Sequence, residues 1–169
     1  VLLSLRTTTY IPAYTNQQTL WQHVIANNNA PWMALNNLGA LYRDAGEHDK
    51  AMICFKQGII HRPNEYSIYN NLGLTYRDLQ QYDRAARVLE YALPLETRDV
   101  TLYATLARVR ELQGHPLEAI RLLKIATSKR PARIDLWLNM GILQIQQRQW
   151  QDAETAIQYV LKHDPYQPK

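Results

Sequence analysis

Five histidines, one cysteine and a recurring set of asparagines and arginines are the residues of this chain best suited to chemistry. His23, His48, His61, His115 and His163 are dispersed, and none stands at a metal-ligand spacing from Cys54. The patterns H-x-x-x-H and C-x-x-C and a glycine-rich phosphate loop do not occur. Catalysis needs a base within hydrogen-bond reach of a nucleophile, or a metal with several ligands, and this pattern offers neither. The expectation is a protein that is not an enzyme and holds no metal and no cofactor. Cys54 cannot form an internal disulfide and reads as a packed thiol beside the core aromatic Phe55.

The asparagines and arginines point to binding. Asn37, Asn71 and Asn139 fall at multiples of 34 residues, with Thr105 at the intervening place. A primary amide carries two donors and an acceptor, so a row of amides can pair with successive peptide units of an extended chain. The same row can also merely solvate a groove. The triplets Tyr42-Arg43-Asp44 and Tyr76-Arg77-Asp78 recur at the same interval. Adjacent residues on a helix do not face each other, so two uses of these arginines stay open. Arg43 can reach across to Asp78, or Arg43 and Arg77 can be presented to a ligand carboxylate, which a guanidinium takes in bidentate fashion.

The elements that position these residues follow from one period. Leu38-Gly39, Leu72-Gly73, Leu106-Ala107 and Met140-Gly141 recur every 34 residues. In register with them stand a large residue at the fourth place (Leu35, Tyr69, Tyr103, Trp137) and alanine at the twentieth (Ala51, Ala85, Ala119, Ala153). Position twenty-four holds Phe55, Leu89, Leu123 and Ile157, and Pro63, Pro131 and Pro165 close three of the units. Small residues at the eighth and twentieth places let two helices approach closely, and the closing proline ends the second helix. Gly46 and Gly114 supply turns, and Pro116 suits the opening turn of a helix.

This pattern resembles the tetratricopeptide repeat family over about four-fifths of the chain. The resemblance implies an all-α fold, an α-α superhelix built from helix-turn-helix repeats. The expected units are 32–65, 66–99, 100–133 and 134–166, preceded by a linker and capping helix in 1–31 (helix 16–28) and followed by a tail at 167–169. The expected helices are 32–45, 48–62, 66–79, 82–95, 100–113, 116–129, 134–147 and 150–163. Arg110 and Gln144 replace the aromatic residues Tyr42 and Tyr76 at the eleventh place, so the last two units should pack differently. Thr97 stands where a closing proline is expected and Pro94 comes three residues early, so that helix should end early or kink.

In this family the first helix of each pair lines the concave face. Carried over by register, this implies a peptide-binding groove of Asn36, Asn37, Arg43, Asn70, Asn71, Arg77, Thr105, Arg108 and Asn139, with Asp44, Asp78, Thr101, Glu111, Asp135 and Gln146 nearby. The amide row is similar to the asparagine ladder of O-linked N-acetylglucosamine transferases. The carboxylate clamp of chaperone-binding members is not matched: Asn71 fits, but Asn36, Ala40, Thr101 and Thr105 hold the other places.

Charge refines the expected partner. From Arg98 to Arg133 there are eight basic residues against three acids, while the whole chain carries a net +4. Such a surplus favours a protein or peptide with an acidic component, through steering. Nucleic acid is not expected, because the groove lacks alternating aromatic and basic platforms. Residues 19–24 followed by Asn36-Asn37-Leu38-Gly39 resemble the junction of membrane-embedded glycosyltransferase-like proteins with tetratricopeptide tails. The second reading is therefore a non-catalytic tail of such a protein, against the alternative that Leu20 and Trp21 simply cover the end of the stack. The opening run from Val1 to Arg6 is too short to span a bilayer. Uncapped ends leave homo- or hetero-oligomers open, and the compartment, cytoplasmic or membrane-tethered, stays unassigned.

Overall fold

A computed structural model of the chain describes residues 16–95 and 99–163. The expectations for residues 1–15, Thr97, Arg98, Pro165 and the tail at 167–169 lie outside the described residues. Among those described there are nine α-helices and no strand. They are α1 Gln17–Ala26, α2 Trp32–Asp44, α3 His48–His61, α4 Tyr66–Asp78, α5 Tyr82–Ala92, α6 Thr101–Leu112, α7 Pro116–Lys129, α8 Ile134–Gln146 and α9 Trp150–His163. Each expected helix is found. Two compact units divide the chain, Val1–Thr75 and Tyr76–Lys169.

In the first unit α1 packs on α2 and α2 on α3. The tightest point is Gly39, where an added Cβ would lie 2.5 Å from Cε1 of the fully buried Phe55. Ala34, Leu35, Leu38, Ala51 and Cys54 complete the buried contact, and Ile68, Tyr69 and Leu72 bring in α4. Burial pushes the Cys54 thiol above its ordinary range, which keeps it protonated and unreactive at neutral pH. In the second unit α6 packs on α7, α8 on α9 and α7 on α8. Its core joins Val100, Ala107, Ala119, Leu123, Leu136 and Met140. Gly141 repeats the close approach, with an added Cβ 3.0 Å from Ile157 Cδ1.

The turn inside each helix pair is the same backbone structure four times. Glu47 N–H donates to Tyr42 C=O at 2.8 Å, and Gln81, His115 and Gln149 donate to Tyr76, Arg110 and Gln144 at 2.8, 2.8 and 2.9 Å. The residue before each donor is left-handed: Gly46 (φ 78°), Gln80 (φ 59°), Gly114 (φ 80°) and Arg148 (φ 57°). This is the Schellman arrangement, which pairs the last carbonyls of the first helix. Gln80 and Arg148 hold it without glycine's freedom, because the two flanking helices fix the turn from both sides.

Pro94 acts as its position requires. α5 ends at Ala92 and a short 3₁₀ turn, Leu93–Leu95, follows. Proline removes a donor and crowds the carbonyl four residues back, so the α-helical ladder stops there. The fourth-place residues prove to be more than apolar knobs. Tyr69 Oη donates to Pro63 C=O at 2.7 Å, and Trp137 Nε1 donates to Pro131 C=O at 3.0 Å. A ring with a polar tip fills the core and also satisfies the carbonyl of the closing proline.

The eleventh place varies as its residue types demand. Tyr42 Oη accepts from Gln18 and Gln22 of α1, at 3.1 and 3.4 Å. Arg110 instead pairs with Glu90 and Glu118 and donates to Gln113. Gln144 is 1% exposed, and its Oε1 is buried without a hydrogen-bond partner. An unpaired buried carbonyl of this kind costs about 1–3 kcal/mol.

Two stability outcomes follow from these contacts. Gly39→Ala should destabilise by about 1–3 kcal/mol in chemical denaturation, because a buried aromatic ring cannot move aside. Gly141→Ala should cost less, since its neighbour is the tip of an isoleucine. Gln144→Leu, which removes the unpaired oxygen at similar volume, should leave stability unchanged or raise it by about 1 kcal/mol. A clear loss would show that Gln144 is bonded in solution.

Candidate functional site

The expected binding residues fall on α2 and on α4 as far as Asn71 in the first unit, and at Arg77 near the end of α4 and on α6 and α8 in the second. Asn36 and Arg43 are seven residues, two turns, apart on α2 and so share a face. Asn71 of α4 meets them: its Nδ2 donates to Asn36 Oδ1 at 2.9 Å, and Arg43 Nη1 donates to its Oδ1 at 3.1 Å. Arg43 also folds back onto Asp44, with Nε and Nη2 donating to Oδ1 at 3.2 and 2.9 Å. The result is a closed chain, Asp44–Arg43–Asn71–Asn36. Asn37 lies half-buried beside it. Asn70 keeps a buried Oδ1 without a partner.

Each arginine of the two triplets binds the aspartate that follows it, Arg77 donating to Asp78 Oδ1 from Nε and Nη2 at 3.1 and 2.7 Å. The long guanidinium stem bends at the last turn of the helix, which allows what the helical spacing of the backbone alone forbids. Thr105 is buried, so it offers the second unit no exposed polar group at that place.

In the second unit a depression of about 320 Å³ opens between α6 and α8. Leu123 of α7, Ala107 and Leu143 form an apolar floor, with Ala104, Arg108, Glu111, Asn139 and Ile142 around it. Arg108 Nη1 donates to Glu111 Oε2 at 2.6 Å. Both charges stay partly in water, so the pair is worth at most about 1 kcal/mol and can be exchanged. Asn139 is exposed at the rim, and its amide makes no hydrogen bond among the described residues.

The basic surplus of the third expected unit is spread over several surfaces. Arg108 faces the depression just described, whereas Arg110 and Arg121 line a separate one with Glu90, Leu93, Glu118 and Leu122. Lys124 bridges to Asp152 at 2.9 Å, and Lys129 lies 5.7 Å from the centre of the Tyr103 ring. Arg133 donates to both oxygens of Asp135, at 2.8 and 2.7 Å. These hydrogen bonds hold the Asp135 carboxyl below the usual carboxylate range. Among the described residues no group of three or more histidine, cysteine or acidic side chains is placed to hold a metal ion.

Sequence comparison agrees with this architecture. Models of the tetratricopeptide repeat match residues 33–60, 67–95 and 104–168, most of the chain. The chain belongs to the tetratricopeptide repeat family. Solved structures share the fold: a MamA crystal structure has a TM-score of 0.75 at 20% identity, covering 85% of this chain and 84% of that one. MamA residues 41 to the end, from Desulfovibrio magneticus RS-1, has a TM-score of 0.77 at 16% identity over 99% and 96%. YrrB, a tetratricopeptide repeat protein with an unusual peptide-binding site, has a TM-score of 0.71 at 18% identity over 86% and 75%. No curated protein matches the sequence.

Asp135, at the start of α8, provides a pH test of its ion pair with Arg133. Its lowered carboxyl contributes stability above the ordinary carboxylate range, and that contribution is lost as pH falls through the folded-state value. The side chain is about half exposed, so Asp135→Asn should cost less than about 1 kcal/mol at pH 7. Denaturation of both proteins across pH 7 to pH 2 should show the difference closing towards the acid end. A gap that stays constant would assign the effect to the α8 terminus and not to the ion pair.

Proposed function

We propose that this protein is an interaction scaffold whose second unit holds an extended segment of a partner protein on the α6–α8 face, without catalysis. The observation that carries the reading is Asn139. It projects a free amide at the rim of an apolar-floored depression, beside an ion pair weak enough to exchange. An amide so placed can donate to one peptide carbonyl and accept from one peptide N–H. A helical ligand satisfies its own backbone, so the amide favours an extended one. Arg108 can release Glu111 and take a ligand carboxylate, which supports a partner with an acidic component. The closed chain of Asn36, Asn71 and Arg43 supports a different role for the first unit, in which the amides rigidify the scaffold and the ligand is held elsewhere.

The membrane-tail reading rests on the resemblance around residues 19–39, and no described helix is long and apolar enough to cross a membrane.

Peptides selected from a displayed random library on the intact chain, then synthesised with a fluorophore, test the proposal. Asn139→Ala should weaken them about tenfold, the loss of one or two hydrogen bonds at about 1 kcal/mol each. Arg108→Glu should weaken acidic peptides more at low than at high salt. Unchanged affinities in both variants would place binding on another surface.

A further inference from the structure

The 34-residue register lets the two faces be compared place by place. Asn36, Arg43 and Asn71 of the first unit correspond, two repeats later, to Ala104, Glu111 and Asn139 of the second. In the first unit the three polar side chains close on one another through bonds of 2.9 and 3.1 Å. In the second, the amide that would have accepted from Asn139 is cut back to a methyl group, and the guanidinium that would have donated to it is a carboxylate. The change to Ala104 removes both the acceptor for Asn139 and the bulk beside it. What remains is a depression with Ala104 and Ala107 on one side and Leu123, Ile142 and Leu143 beneath and opposite.

We infer that Ala104 is the specificity-determining residue of this face, and that the depression is the seat for one bulky aliphatic or aromatic side chain of the bound segment. The inference rests on the binding proposed above and adds what the segment must carry. A volume of about 320 Å³ lies at the lower limit of ligand sites, which suits one large side chain and not a cofactor. The floor is apolar and well buried, with Ala107, Leu123 and Leu143 each under 5% exposed. Ile142 is 44% exposed, so an apolar ligand group would cover it. Asn139, at the rim, then holds the backbone next to the anchor, while Arg108 and Glu111 meet charges flanking it. The partner chemistry is an extended segment with one large apolar residue set among charged ones.

Substituting the asparagine found at the same register place tests this directly. Ala104→Asn should recreate the Asn36–Asn71 bond with Asn139 and fill the seat from within. The selected peptides should share one bulky apolar residue, and its replacement by alanine should weaken binding at least tenfold. Ala104→Asn should weaken every selected peptide at least tenfold while melting no lower than the parent chain. Peptides that tolerate alanine at every apolar position would overturn the inference, as would full-strength binding by a folded Ala104→Asn. The peptide-side substitution needs no protein variant, so it decides the matter even if Ala104→Asn fails to fold. Sensitivity to Asn139→Ala and Arg108→Glu without any apolar requirement removes the seat and leaves the scaffold reading intact. Indifference to all of them removes both.

Discussion

The contact between a small residue on the first helix of a pair and a large one on the second governs what the rest of this protein can be. At Gly39 the Phe55 ring occupies the space where any other residue would place its Cβ. At Gly141 the Ile157 tip comes nearly as close. Two helices brought this near leave no room for variation in crossing position, because interiors are packed to crystal-like density. The alanines at the twentieth place, all buried, hold the approach from the other helix. Once the pair is fixed, the three-residue link between its helices must reverse direction at the same point every time. The four Schellman turns are the consequence, including two that use left-handed glutamine and arginine.

Those turns separate scaffold from function. Backbone hydrogen bonds and small-to-large contacts carry the pair geometry, so the other register places are free to differ between repeats. The eleventh place shows how far this goes, with a tyrosine bonded to α1, an arginine between two glutamates and a glutamine with an unpaired oxygen. Such variation is tolerable in a linear array, where each repeat answers only to its neighbours. The fifth place uses the same freedom, holding Asn36 in a closed amide network in one repeat and Ala104 beside an open depression in another.

The fold could be read almost entirely from the residues, and the site only in part, for one physical reason. Small residues, prolines and glycines act locally, so Leu-Gly pairs, Ala51 and Pro94 announce helix pairs and their ends without any knowledge of neighbours. The left-handed Gln80 and Arg148 escaped that reading because their strain is imposed by the flanking helices and not by their own type. The hydrogen bonds of Tyr69 and Trp137 to the closing prolines were hidden behind their apolar bulk. For the amides the limit is sharper. Asn71 and Asn139 share a register place, yet one is locked to a residue 35 positions away and the other is free. Ala104, which takes away the acceptor that Asn71 has in Asn36, and Ile142, which lines the depression, carry no polar group and give no signal as single residues. Only a comparison of the fifth place across repeats would have marked Ala104.

The energetics then assign different tasks to the groups around the depression. Arg108 and Glu111 are exposed enough that exchanging one carboxylate for another changes little, since a surface pair is worth at most about 1 kcal/mol. Asn139 already bonds to water when free, so a bond to a peptide returns only about 0.5–1.5 kcal/mol. Covering an apolar side chain on the Ala107, Leu123 and Leu143 floor is worth more, about 1.5–3 kcal/mol for a residue such as leucine. In the proposed complex, affinity on this face therefore comes mainly from the apolar group. The amide sets the register of the backbone and the ion pair governs approach and exclusion. A segment with many charges and no anchor would be steered to the face and released quickly, because steering raises the rate of encounter without slowing departure.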